Sequence, residues 1–141
     1  MQPKSNSAKK AVSRLGTAAV EFAIIAPLMI TFTFGLVELG RITLVKQTAT
    51  HATREGARIA IRPDANADQV IERVEEELSL MGIEGAIIET EPSLIEEAEM
   101  GSTVKVRVRL AISSISWVSN YFDFGDSELI AESSMRREST N

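Results

Sequence analysis

Cysteine is absent and histidine occurs once, at position 51. A disulfide framework, a thiol nucleophile and cysteine-based zinc sites are therefore excluded, and cysteine usage leaves the redox compartment open. There is no His-Glu-x-x-His, no Walker-type loop and no dinucleotide fingerprint. His51 lies in a Thr/Ala-rich helical stretch with no second His and no Cys one helical turn away, so a solvated ring is its expected state. The chain reads as a non-enzyme without cofactor, metal or small-molecule substrate. Charge of one sign is also scarce in each half. Residues 1–62 hold three acids against nine Lys and Arg, whereas residues 63–141 hold six Lys and Arg against seventeen acids. An acidic domain is repelled by phosphate backbones, so nucleic acid is excluded as a partner.

What the chain does have is one long apolar run. From Phe22 to Val37 sixteen residues pass without a charge, about 24 Å of helix. That nearly crosses a hydrocarbon core of about 30 Å, with the side chains of Glu21 and Glu38 expected to reach towards the two interfaces. Residues 17–39 are read as a transmembrane helix in contact with a lipid bilayer. Residues 1–16, with Lys4, Lys9, Lys10 and Arg14 and no acid, form a basic leader expected to be unstructured. An ordinary secretory signal fits less well. Its apolar region is shorter and ends in a small-x-small site, which Gly35-Leu36-Val37-Glu38 does not offer.

Gly16 is followed by Thr17-Ala18-Ala19-Val20-Glu21-Phe22. This resembles the cleavage motif of type IV pilins and pseudopilins, in which a prepilin peptidase cuts after the glycine and leaves glutamate fifth in the mature chain. Glu21 is fifth counting from Thr17. With Pro27, Gly35-Leu36-Val37-Glu38-Leu39-Gly40-Arg41 and Ala52-Thr53-Arg54-Glu55-Gly56-Ala57-Arg58, the segment is similar to the TadE-like family of minor pseudopilins. That family serves the tight-adherence (Flp) pilus assembly system. Beyond Ala60 the resemblance rests on Gly101 ahead of a valine-alternating strand and on Met135-Arg136-Arg137-Glu138. It implies a processing site at Gly16, Thr17, Glu21 and Phe22. The implied partners are the prepilin peptidase, other pseudopilins and pilins, and inner-membrane pilus assembly proteins. It also implies a bacterial inner-membrane protein with a cytoplasmic N-terminus and an extracytoplasmic C-terminal domain. Charge counting leaves orientation open, since four Lys or Arg flank each end of the span.

A carboxylate in an apolar helix is costly enough to mark a function or a partner. One reading pairs Glu21 with the freed amine of Thr17 on a neighbouring subunit; the other leaves it as a helix-start acid favoured by the dipole. Pro27 removes the amide that would bond the Ala23 carbonyl and predicts a kink.

No stop signal follows until Pro63, so the helix is expected to continue through residues 40–62. Ile42, Val45, Ala49, Ala52, Gly56 and Ile59 recur at steps of three and four, a face for a core or for neighbouring helices in a filament. Arg54, Arg58 and Arg62 repeat every four residues. They form either a solvated row, with Glu55 relieving Arg58, or a contact for the acidic half of another subunit.

Residues 63–141 read as an extracytoplasmic domain. Asn66-Ala67-Asp68-Gln69 has the form of a capping box, opening a helix whose Val70, Ile71, Val74, Leu78 and Met81 share a face and which closes at Gly82. Glu72, Glu75, Glu76 and Glu77 oppose them, without the ligand loop of a calcium site. Strands are predicted at 86–91, at 103–113, where valines alternate with Lys105, Arg107 and Arg109, and around Leu129, Ala131 and Met135. Antiparallel pairing would set Glu128 and Glu132 against that basic row. Trp117, Tyr121, Phe122 and Phe124 lie between the last two strands, as a core plug or a subunit contact.

The fold expected is α+β and pilin-like: a long, partly transmembrane N-terminal helix, a second helix and a small three-stranded antiparallel sheet. The function expected is a cleaved minor pseudopilin in pilus biogenesis and adhesion. The alternative is an uncleaved, single-pass membrane-tethered binding module of the cell envelope.

Overall fold

The computed structural model describes residues 6–117 and 125–137. In chain order the elements are α1 (Asn6–Ala60), α2 (Ala67–Ser79), β1 (Ile87–Glu91), a 3-10 turn (Ile95–Glu97), β2 (Thr103–Ala111), α3 (Ile112–Ile115) and β3 (Glu128–Arg136). The architecture is α+β, and it divides into two compact units, one ending at Leu39 and one beginning at Gly40.

The first unit is helix from Asn6 onward. The leader was expected to be unstructured, and residues 6–15 are instead helical. Ala8, Lys9, Lys10, Ala11 and Leu15 are good helix formers, and extending an existing helix requires no new nucleus. Pro27 lies inside this single element. The Thr31 hydroxyl donates to the Pro27 carbonyl at 2.9 Å, and Thr33 donates to Met29 at 2.8 Å. Both hydroxyls are thus satisfied within the helix, as an apolar solvent demands.

In the second unit the last third of α1 and the whole of α2 cover one face of a sheet ordered β1-β2-β3, antiparallel throughout. The small-residue stripe faces inward. Ala49, Ala52, Ala57 and Ala60 are completely buried, as is Thr53, whose hydroxyl returns to the Thr50 carbonyl at 2.9 Å. Val70, Val74 and Leu78 of α2 meet Val104, Val106, Val108 and Leu110 of β2 in the same core. Each such side chain contributes about 1.5–3 kcal/mol by leaving water.

Gly56 sets how closely these layers approach. A Cβ there would lie 2.5 Å from Val74 Cγ2 and 3.4 Å from Val106 Cγ1. The α2 cap forms as expected. Gln69 N–H donates to Asn66 Oδ1 at 2.8 Å, and Asn66 N–H donates to Gln69 Oε1 at 3.4 Å. Helix α2 ends at Ser79, and Gly82 takes a φ of 65° in the turn that follows.

On the other face of the sheet the basic row is matched from both sides. Arg107 meets Glu132 at 3.0 Å, Arg109 meets Glu89 at 2.8 Å and Lys105 meets Glu91 at 3.1 Å. Lys105 turns to β1 because its β3 partner is Ser134. These pairs are a third to three-quarters exposed, so each contributes only tenths of a kcal/mol. Strand β2 ends two residues earlier than expected. Residues 112–115 form the single turn α3, which buries Ile115.

A buried arginine closes the far end of the unit. Arg137 is 4% exposed, and its guanidinium donates to the carbonyls of Ile95, Ala98 and Pro63, the last two at 3.0 Å. Its own amide donates to Ser102 at 2.8 Å. The end of β3 is thereby tied to the chain just past α1.

Two substitutions test this packing in urea unfolding of the detergent-solubilised protein. Gly56→Val is expected to destabilise by about 1–3 kcal/mol through overpacking, whereas Gly40→Ala, with nothing within 4 Å of its added Cβ, should not. Arg137→Met leaves three carbonyls without their donor and should cost about 2–4 kcal/mol. Arg136→Met loses one exposed bond to Gly101 and should cost under about 1 kcal/mol. Equal effects within either pair would contradict these roles.

Candidate functional site: an apolar helix with a processing motif

Segment 16–39 of α1 has no apolar interior to hide in. Phe22 is 72% exposed, Ile24 71%, Leu28 68% and Phe34 63%, and no part of its most apolar eighteen-residue window is buried. A helix apolar on all sides is stable only inside a protein or inside lipid. Length and composition make this the one candidate membrane span among the described residues.

The motif residues occupy the start of that run. Gly16, Thr17, Glu21 and Phe22 are exposed, and nothing lies within 4 Å of where a Cβ on Gly16 would stand. The two acids expected to point towards the interfaces differ. Glu21 is exposed, but Glu38 is only 6% exposed and is engaged in a contact. Glu38 is therefore covered and does not extend into solvent as expected.

The arginine row also stands in the open. Arg54, Arg58 and Arg62 are exposed, and among the described residues none of them forms an ion pair. Glu55, expected beside Arg58, is half-buried, and its charge acts on Arg73 of α2 instead. The Arg73 guanidinium is held above its ordinary pKa, first by its hydrogen bond to Glu76 and further by the charges of Glu77 and Glu55. Glu77 was expected on the solvated face. It is instead 14% exposed, bonded to Arg73 and 3.6 Å from His51 Nδ1. Glu72, Glu75 and Glu76 remain on the outside. Among the described residues no group of three His, Asp or Glu side chains is arranged to hold a metal ion.

Trp117 is 65% exposed, with the Arg41 guanidinium 4.4 Å from its ring centroid. Arg41 Nε also donates to the Ile115 carbonyl at 2.6 Å. This pairing joins residues too far apart for spacing to reveal, and Arg41 had been counted only among the flanking charges. Tyr121, Phe122 and Phe124 lie outside the described residues.

No curated protein and no solved structure matches the chain. A family model does match, from Gly16 of the motif to Arg58 of the arginine row. That match is to the TadE-like protein family over residues 16–58, the family that the motifs of this segment resemble.

Proposed function

We propose that the protein is a minor pseudopilin of a Tad (Flp-type) pilus system. It is held in the bacterial inner membrane by residues 17–39, with a cytoplasmic N-terminus and an extracytoplasmic domain, and takes part in pilus assembly and adhesion. One observation carries this reading: the TadE-like match begins at the glycine that opens an unburied apolar helix. The involvement of TadE-like proteins in Tad pili supports membrane and pilus partners. The prepilin peptidase cuts the Gly16–Thr17 bond. That bond lies within α1, so the enzyme must open the helix locally. A glycine there weakens the helix by about 1 kcal/mol relative to alanine, and the missing side chain leaves the carbonyl accessible.

Cleavage creates a positive amine at Thr17. In a bilayer or filament interior its natural counterion is a carboxylate of another subunit, and Glu21 is the acid the motif supplies. Pro27 leaves the Ala23 carbonyl without its helical donor and is the place where the helix bends during assembly. When the protein is co-expressed with an active prepilin peptidase, N-terminal sequencing is expected to read Thr17. An intact Met1 would leave an uncleaved, membrane-tethered binding module as the better description. Glu21→Ala should keep the Thr17 terminus but reduce cross-linked oligomers about tenfold, corresponding to about 1.4 kcal/mol. Undiminished oligomers would remove the pairing.

Subunits further meet through the row Arg54, Arg58 and Arg62, which has no ion-pair partner among the described residues of its own chain. The matching surface is the outer face of α2, with Glu72 and Glu75. Exposed pairs of this kind are screened by salt. Association of the solubilised mature protein should therefore weaken about tenfold between low salt and about 0.5 M NaCl. Arg58→Glu should weaken it at low salt, and Glu72→Arg in the partner should restore it. Association indifferent to salt and to both changes would refute the contact.

A further inference from the structure

Exposed apolar side chains are not spread evenly over the second unit. Leu44, Leu80, Met81, Ile87, Trp117 and Ile130 are all about half exposed or more, and the structure gathers them at one end. Ile87, Arg109 and Ile130 form one row across the three strands, where β2 runs into α3. At that same end the carbonyl of Ile115 in α3 accepts from Arg41, and a shallow groove is lined by Arg41, Leu44, Thr48, Met81, Ile83 and Ile115. Among the described residues, only Leu94 and Met100 stand at the opposite end, near the Arg137 tie.

The apolar end is also the end nearest the span in the chain. Arg41 follows Leu39 by two residues, about 3 Å of helix. Whatever packs on Arg41 is therefore kept beside the bilayer boundary by covalent continuity alone. The side chains there suit that boundary. Tryptophan favours the headgroup region because its ring is apolar and its N–H is polar. An arginine stacked on the ring can still donate to phosphate from its remaining N–H groups. Glu84 lines the groove together with Arg41 and keeps the local charge mixed, so an anionic lipid is not required.

We infer that this end is a lipid-facing foot: Trp117, Leu44, Leu80 and Met81 enter the headgroup boundary of the bilayer, with Arg41 against lipid phosphate, and fix how the domain rests on the membrane before assembly. The inference depends on the membrane-anchored reading above. The partner is a phospholipid surface and not a second copy of the chain, because exposure and proximity to the span coincide at one end.

Trp117 is the only tryptophan, so its fluorescence reports this end alone. The full chain is reconstituted at high lipid-to-protein ratio in phosphatidylcholine vesicles, with and without phosphatidylglycerol. A fraction of the lipid is brominated near the carbonyl end of its acyl chains. The expected result is a blue-shifted emission quenched by about half in both compositions, and quenching largely lost in Leu80→Glu/Met81→Glu, two exposed positions whose change leaves the circular dichroism intact. Failure to co-float with vesicles would count against the membrane span itself. A chain that co-floats while Trp117 is quenched by aqueous acrylamide and not by bromolipid would overturn the foot. Quenching confined to phosphatidylglycerol vesicles would overturn the apolar seat in favour of charge attraction. Shielding from acrylamide that disappears on dilution with lipid would identify a second copy as the occupant and overturn it too.

Discussion

Twelve large apolar side chains between Val20 and Leu39 stand about half exposed or more, with no protein to cover them. Burying such a side chain is worth about 1.5–3 kcal/mol, so together they represent on the order of 20 kcal/mol. That exceeds the roughly 5–15 kcal/mol by which a typical domain is stable. Where this protein resides is therefore decided by the helix and not by the domain attached to it. Lipid and packed neighbouring helices are both adequate solvents for it. The two offer similar apolar surroundings, so a transfer from one to the other would involve little hydrophobic free energy. What distinguishes the two environments is the polar chemistry at the ends of the run, where Glu21 lies.

The same helix changes character past Gly40. There alanines and Gly56 replace leucines and phenylalanines, and the face they form is completely buried at Ala49, Ala52, Ala57 and Ala60. Small side chains let a second helix and a sheet approach the α1 backbone, so the large residues of this core come from α2 and β2. One continuous helix thus serves as the inserted element in the first unit and as the packing platform in the second. The change from large to small residues along its length is what divides these tasks.

This division was legible in the sequence because each part carries a period of its own: an unbroken apolar run, steps of three and four, then strict alternation along β2. The capping box at Asn66 was legible because its two hydrogen bonds join residues three apart. Features that depend on distant parts of the chain meeting were not. Arg137 reads as one more terminal charge until Pro63 and Ile95 converge on it, and Arg41 reads as a flanking cation until Trp117 folds over it. Ile112 continued the alternation of β2, yet the chain turns there to bury Ile115, and burial outweighs local pattern. Glu77 reads as solvated together with Glu72, Glu75 and Glu76 opposite the apolar face of α2, but the proximity of α2 to His51 and the reach of Arg73 draw it inward. The TadE-like match ends at residue 58, and beyond it the expected elements rest on periodicity and capping, with the resemblance reduced to Gly101 and the Met135-Arg136-Arg137-Glu138 ending.

The two basic rows of the chain differ in how their charge is matched. Lys105, Arg107 and Arg109 are each within 4 Å of an acid on a neighbouring strand, and that row is complete in the monomer. Arg54, Arg58 and Arg62 have equal charge and regular spacing but no such acids among the described residues. Like charges one turn apart repel by a few tenths of a kcal/mol, so the row slightly destabilises the isolated chain. That cost falls on the one face of α1 that neither the core nor a bilayer requires to be basic. Acids brought by another copy, such as Glu72 and Glu75 on the outer face of α2, would recover it, which is the physical basis of the proposed contact.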